Sequence, residues 1–86
     1  MNPDSGTTLD QLKPDSTATV VRLTSAGVDR RRMMDLGILP GTKIEVEMTS
    51  PLGDPTAYRI RGAVVALRRE QAHQIDVVMN THGANA

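Results

Sequence analysis

The chain lacks cysteine, tryptophan and phenylalanine altogether, and Tyr58 is its one aromatic residue. Without cysteine there are no disulfides, no thiolate zinc sites and no thiol nucleophile. A single aromatic ring leaves no stacking platform for single-stranded nucleic acid. An excess of charge is missing too. Ten Lys+Arg stand against ten Asp+Glu, so no global field draws the chain to nucleic acid or to a membrane surface. The longest unbroken apolar run, Ala63–Leu67, is far short of the ~20 residues that span a bilayer. Met1-Asn2-Pro3-Asp4 has neither the basic nor the apolar region of a signal peptide. The expected address is the cytoplasm, with the membrane reached only through a partner.

Reaction motifs are missing as well. No G-x-x-x-x-G-K-[ST] occurs to cradle a nucleotide, and no G-x-S-x-G. The histidines are His73 and His82, and neither has an acid and a nucleophile at a telling spacing. The expectation is a protein that is not an enzyme.

What is present is enough for one small domain of 86 residues. Residues 1–8 and 80–86 are small and polar and bury too little to offset the cost of ordering them, so both are expected to be flexible tails. Between them, 9–79 forms the folded unit. Leu9 and Leu12 lie three apart before Pro14, which suggests one helical turn docking two leucines. Thr17 to Leu23 reads as a strand with Val21 and Leu23 on one face. Val28 to Leu36 is the one clear helix, with Asp29 at its positive end. Gly37 then takes the left-handed cap position and Ile38 folds back on Met33. Leu39-Pro40-Gly41-Thr42 has the proline and glycine of a type II turn.

Lys43 to Met48 alternates, with Ile44, Val46 and Met48 opposite Lys43, Glu45 and Glu47. Ser50-Pro51-Leu52-Gly53-Asp54-Pro55 is a loop. Ala57–Arg61, Ala63–Leu67 and Ile75 to Met79 read as strands, with Gly62 marking a bulge or corner and a further helical turn from Arg69 to Gln74. Five short strands and one helix, without βαβ alternation, predict a mainly β fold, a small SH3-like antiparallel barrel. Its expected core is Val21, Leu23, Met33, Leu36, Ile44, Val46, Met48, Ile60, Val65, Leu67, Ile75 and Val77.

Three features are candidates for function. Glu70 and His73 have the Glu-x-x-His spacing that puts two ligands on one helix face, but a stable metal site wants three or four donors. They are weak metal candidates, with His82 a further donor for an intermolecular site, and no cofactor is expected unless a transition metal ion binds there. Arg30-Arg31-Arg32 fans around the helix. It is either a solvated face, with Asp29 and Arg32 paired at i,i+3, or a contact for an acidic partner. Arg59, Arg61, Arg68 and Arg69 offer a second basic patch on the barrel. Leu39 beside Pro40 and Leu52 beside Pro51 either complete the core or project as anchors of a protein contact.

The run Arg31-Arg32-Met33-Met34-Asp35-Leu36-Gly37-Ile38-Leu39-Pro40-Gly41-Thr42 resembles the arginine-rich helix and L-G-[ILM]-[LT]-P-G-[TS] of the FeoA-like family. Ser50-Pro51-Leu52-Gly53-Asp54-Pro55 is similar to its [AS]-P-L-G-D-P, and Leu67-Arg68-Arg69-Glu70-Gln71-Ala72 to its L-R-x-x-x-A. Three ordered blocks cover about residues 9–79. The resemblance implies an SH3-like barrel and a non-enzymatic accessory of bacterial ferrous iron uptake. Its implied partner is the cytosolic part of a FeoB-type GTPase permease, with no nucleic acid expected and the homo-oligomeric state open. On this reading Leu39, Leu52, Asp54, Arg30 and Arg31 make the contact, while Gly37, Pro40, Gly41, Pro51, Gly53 and Pro55 shape the loops. Pairing of the strands after Thr42 and before Thr56 is expected to bring both motif loops together. The alternative is an SH3-like regulatory module of a metal-dependent regulator or nucleic-acid-associated protein.

Overall fold

The computed structural model describes residues 6–80; the expected tail segments 1–5 and 81–86, with His82, lie outside them. Six strands form one antiparallel sheet: β1 (Thr7–Thr8), β2 (Thr17–Leu23), β3 (Lys43–Thr49), β4 (Thr56–Ile60), β5 (Ala63–Leu67) and β6 (Ile75–Met79). Helix α1 (Gly27–Asp35) lies between β2 and β3, and a single turn α2 (Arg69–Ala72) between β5 and β6. A 3-10 turn over Leu9–Gln11 buries Leu9 and rests Leu12 on the core, as the leucine spacing predicted. The ladder runs β1-β6-β2-β3-β4-β5.

Backbone pairing reaches into both segments expected as tails. Thr7 and Thr8 pair with Val77 and Asp76, which makes a sixth strand. At the other end the Asn80 N–H donates to Thr17 O at 3.0 Å. Backbone pairing holds these polar residues where side-chain burial alone does not.

The strand pattern carries the core, with two register breaks. In β2 the pairing shifts between Val20 and Arg22. Ala18, Val20 and Leu23 therefore point inward and Val21 points out, because a bulge resets the two-residue alternation. In β3 a second shift between Val46 and Met48 leaves Ile44 and Val46 buried and Met48 65% exposed. Val65 is only partly buried. Leu36, expected inside, is exposed.

The helix end explains Leu36. Ile38 N–H donates to Met33 O at 3.1 Å and Gly37 N–H to Met34 O at 2.9 Å, the two bonds of a Schellman cap. Gly37 has φ +93°. The reversal swings Ile38 into the core, where it is wholly buried together with Ile44, Ile75 and Val77. Tyr58 and Ala72 complete the interior. On the outer face, Arg59 grips Glu47 through two hydrogen bonds at 3.0 and 3.1 Å. The segment Arg61–Gly62, where a bulge or corner was expected, is a two-residue turn with both residues at positive φ. Arg61 thus belongs to the turn and not to a strand.

Candidate functional site

The loop between β3 and β4 is held at several points. Gly53 takes φ +86°, and its N–H donates to Ser50 O at 2.8 Å. Ser50 N–H donates to Pro55 O at 3.3 Å, and the Asp54–Pro55 peptide is cis. Asp54 Oδ1 accepts the Arg69 N–H at 2.8 Å, which fastens the loop to the first turn of α2. In the same turn Gln71 Oε1 accepts the Arg68 N–H at 2.8 Å. Pro51 and Pro55 are exposed. From this braced frame Leu52 stands out with 90% of its surface exposed. Burial of such a side chain on a partner is worth about 1.5–3 kcal/mol, and the braced loop has little further entropy to lose on binding.

The other leucine turn is built differently. Thr42 N–H donates to Leu39 O at 2.9 Å and Gly41 has φ +93°, the type II geometry its Pro40-Gly41 pair predicted. The turn is sewn to β2 by Gly41 N–H to Val20 O and Val20 N–H to Thr42 O, both at 2.8 Å. Leu39 is half-buried and Pro40 exposed. The two loops do not come together. The seven residues of β3 lie between them, a span of about 20 Å at ~3.3 Å per residue. Pairing β3 with β4 puts the Leu52 loop at one end of the hairpin and the Leu39 turn at the other, beside Arg61.

Arg30, Arg31 and Arg32 are all exposed. The ion pairs among the described residues are Arg22–Asp76 and Arg59–Glu47, and His73 Nδ1 lies against Asp10, so the expected Asp29–Arg32 pair does not form. The expected second basic patch is scattered. Arg59 is paired on the sheet, Arg61 lies over Gly37, and Arg68 and Arg69 sit at the far end of β5.

Glu70 and His73 do not act as a pair. His73 Nδ1 is 3.3 Å from Asp10 Oδ2, and Asp10 also accepts a hydrogen bond from the Thr8 hydroxyl. Glu70 lines a cleft between α1 and α2 with Asp29, Arg32 and Met33. Among the described residues no three His, Asp or Glu side chains converge. Sequence reasoning missed both the Asp10–His73 and the Asp54–Arg69 contacts. Their partners are 63 and 15 residues apart, beyond any local spacing rule.

Fold and site together define a small β-module with an exposed apolar loop. The FeoA domain family matches residues 7–79. The chain belongs to the FeoA family. It is 37% identical over 78 residues to the Fe(2+) transport protein A/Fe(2+) transporter FeoB fusion protein of Porphyromonas gingivalis. That match takes in 91% of this chain and only 9% of the fusion protein. The solved FeoA-like protein of Clostridium acetobutylicum is 34% identical, with a TM-score of 0.83 over 94% of this chain and 92% of its own. The Stenotrophomonas maltophilia FeoA, solved with zinc and described as an SH3 domain protein, is 23% identical. Its TM-score is 0.73 over 86% of this chain and 89% of its own. The mainly β, SH3-like fold expected from the strand count is thus the fold observed. No helix among the described residues is long and apolar enough to cross a membrane.

Proposed function

We propose that this chain is an accessory of bacterial ferrous iron uptake that acts by docking on the cytosolic part of a FeoB-type permease and carries out no reaction of its own. The observation that supports this most is the Porphyromonas gingivalis relative, which joins an A component and a FeoB transporter in one polypeptide. Two functions fused in one chain work at high effective concentration of each other, which favours direct contact between them. Leu52, wholly solvated on a braced loop, is the anchor. Asp54, Pro51, Gly53 and Pro55 hold it in place. Leu39 makes a lesser contact from its half-buried turn, and Arg30 and Arg31 steer the approach to acidic surface.

The test is binding of the chain to the cytosolic part of the FeoB-type permease from the same genome. Leu52→Asp is expected to keep its thermal transition and lose binding by about 30-fold or more, the scale of a hot-spot residue. A folded Leu52→Asp protein that binds as well as the parent removes the loop from the interface.

A further inference from the structure

The strand β5 ends the ladder, and its makeup is unusual for such a position. Ala63-Val64-Val65-Ala66-Leu67 has no charge, no proline and no glycine, and its pairing with β4 runs without a bulge. Natural sheets protect open edges with those very features, because an unpaired row of N–H and C=O groups recruits another strand. Ile60 and Ala63 close a two-residue turn, so they form the hydrogen-bonded pair of the hairpin. The alternation of an antiparallel ladder then turns the N–H and C=O of Val64 and Ala66 away from β4. Among the described residues, no backbone hydrogen bond outside the β4 ladder reaches this strand. Val64 is 53% exposed and Ala66 is exposed. On the same face, Ala66, Ala57 and Met48 form one apolar row across three strands.

The charges at the two ends of β5 select the occupant. Arg61 precedes the strand and Arg68 and Arg69 follow it, and none of the three has an ion-pair partner among the described residues. A second copy of this chain laid antiparallel would bring the Arg61 end of one against the Arg68–Arg69 end of the other. Like charges so placed oppose the pairing. We propose that β5 receives an extended segment of another polypeptide by strand addition: about five residues, apolar on the side that meets Val64 and Ala66, with Asp or Glu at both ends. Main-chain hydrogen bonds supply the affinity, and the terminal carboxylates supply selectivity. This surface adjoins the Leu52 loop at one end, where the Arg69 N–H binds Asp54.

The probe is a fluorescein-labelled peptide, Asp-Glu-Val-Thr-Val-Thr-Val-Glu-Asp, compared with the same core flanked by lysines. Anisotropy is expected to show the acidic peptide binding about tenfold or more tightly than the lysine form, and amide shifts are expected to centre on Val64 and Ala66. The double variant Arg61→Glu/Arg68→Glu, checked for its thermal transition, reverses the preference. Val64→Pro removes an outward N–H and weakens the acidic peptide. Equal affinity for the two peptides, shifts centred elsewhere, or dimerisation through β5 in sedimentation without peptide would each overturn the proposal.

Discussion

The carboxylate of Asp54 and the backbone N–H of Arg69 meet at 2.8 Å, so the loop that exposes Leu52 and the turn that starts α2 are one mechanical unit. An anion is well placed there, since the first N–H groups of a helix have no partner within it. The contact gives an acidic loop residue a structural task in addition to any role in docking.

Asp54→Ala is expected to cost about 1 kcal/mol, the usual value of a lost cap interaction. In a domain of this size that lowers the thermal midpoint by about 4–8 °C. Asp54→Asn keeps an acceptor and is expected to recover part of the loss. Calorimetry of the two variants checks the order, and equal midpoints for the parent and Asp54→Ala would contradict the capping role.

Gly37 is constrained twice. Its φ of +93° disfavours any side chain, and a Cβ there would stand 2.7 Å from Arg61 Cδ. Gly37→Ala is expected to destabilise by about 1–2 kcal/mol from the backbone alone, plus the cost of moving Arg61. Adding Arg61→Ala should restore only the contact part. A double-mutant cycle in denaturant measures that coupling, and strictly additive effects would argue against the contact.

Ile38 packs inward as the cap contact with Met33 suggested, whereas Met48, expected in the core, does not. Ile38 is 0% exposed and Met48 65% exposed. Ile38→Ala is expected to cost about 2–5 kcal/mol through lost burial and a cavity, most of what so small a domain has to spare. Met48→Ser is expected to stay within about 0.5 kcal/mol. Urea unfolding of both variants gives the comparison directly.

Tyr58 reports on the core through its own titration. Burial pushes its phenol above the usual 10.0. A hydrogen bond with Thr56 works against that rise, and the charges of Asp10 and Asp54 add to it. A raised folded-state value makes a contribution to stability that is complete below about pH 10 and lost as pH climbs through the folded value. With no other aromatic residue in the chain, absorbance at 295 nm follows this group alone. The native midpoint is expected above that of the urea-unfolded chain, and a native midpoint at or below it would contradict the burial.

Much of the architecture was legible because its signals are short-range. The bounds of β2, β5 and β6, the Met33–Ile38 cap and the Leu39–Thr42 turn follow from alternation, from glycine at a left-handed position and from Pro-Gly spacing. The face assignments of Val21 and Met48 failed for one shared reason. A bulge adds a residue without leaving a mark in the hydrophobic pattern, and every side chain beyond it changes side. The candidate site divides the same way. Leu52 in a Pro-Gly loop was visible as a possible anchor, whereas its bracing by Asp54 on Arg69 was not.

The sequence by itself determined the class of fold, the membership in a family and the residues able to turn sharply, because each depends on neighbours within a few positions. Only the tertiary structure decided that the two motif loops lie at opposite ends of β3, that His73 faces Asp10 and that β5 is left as an open edge. Those relationships are set by which strands pair and in what register. Pairing is chosen by the best burial of the whole sheet, a quantity that no local stretch of residues carries.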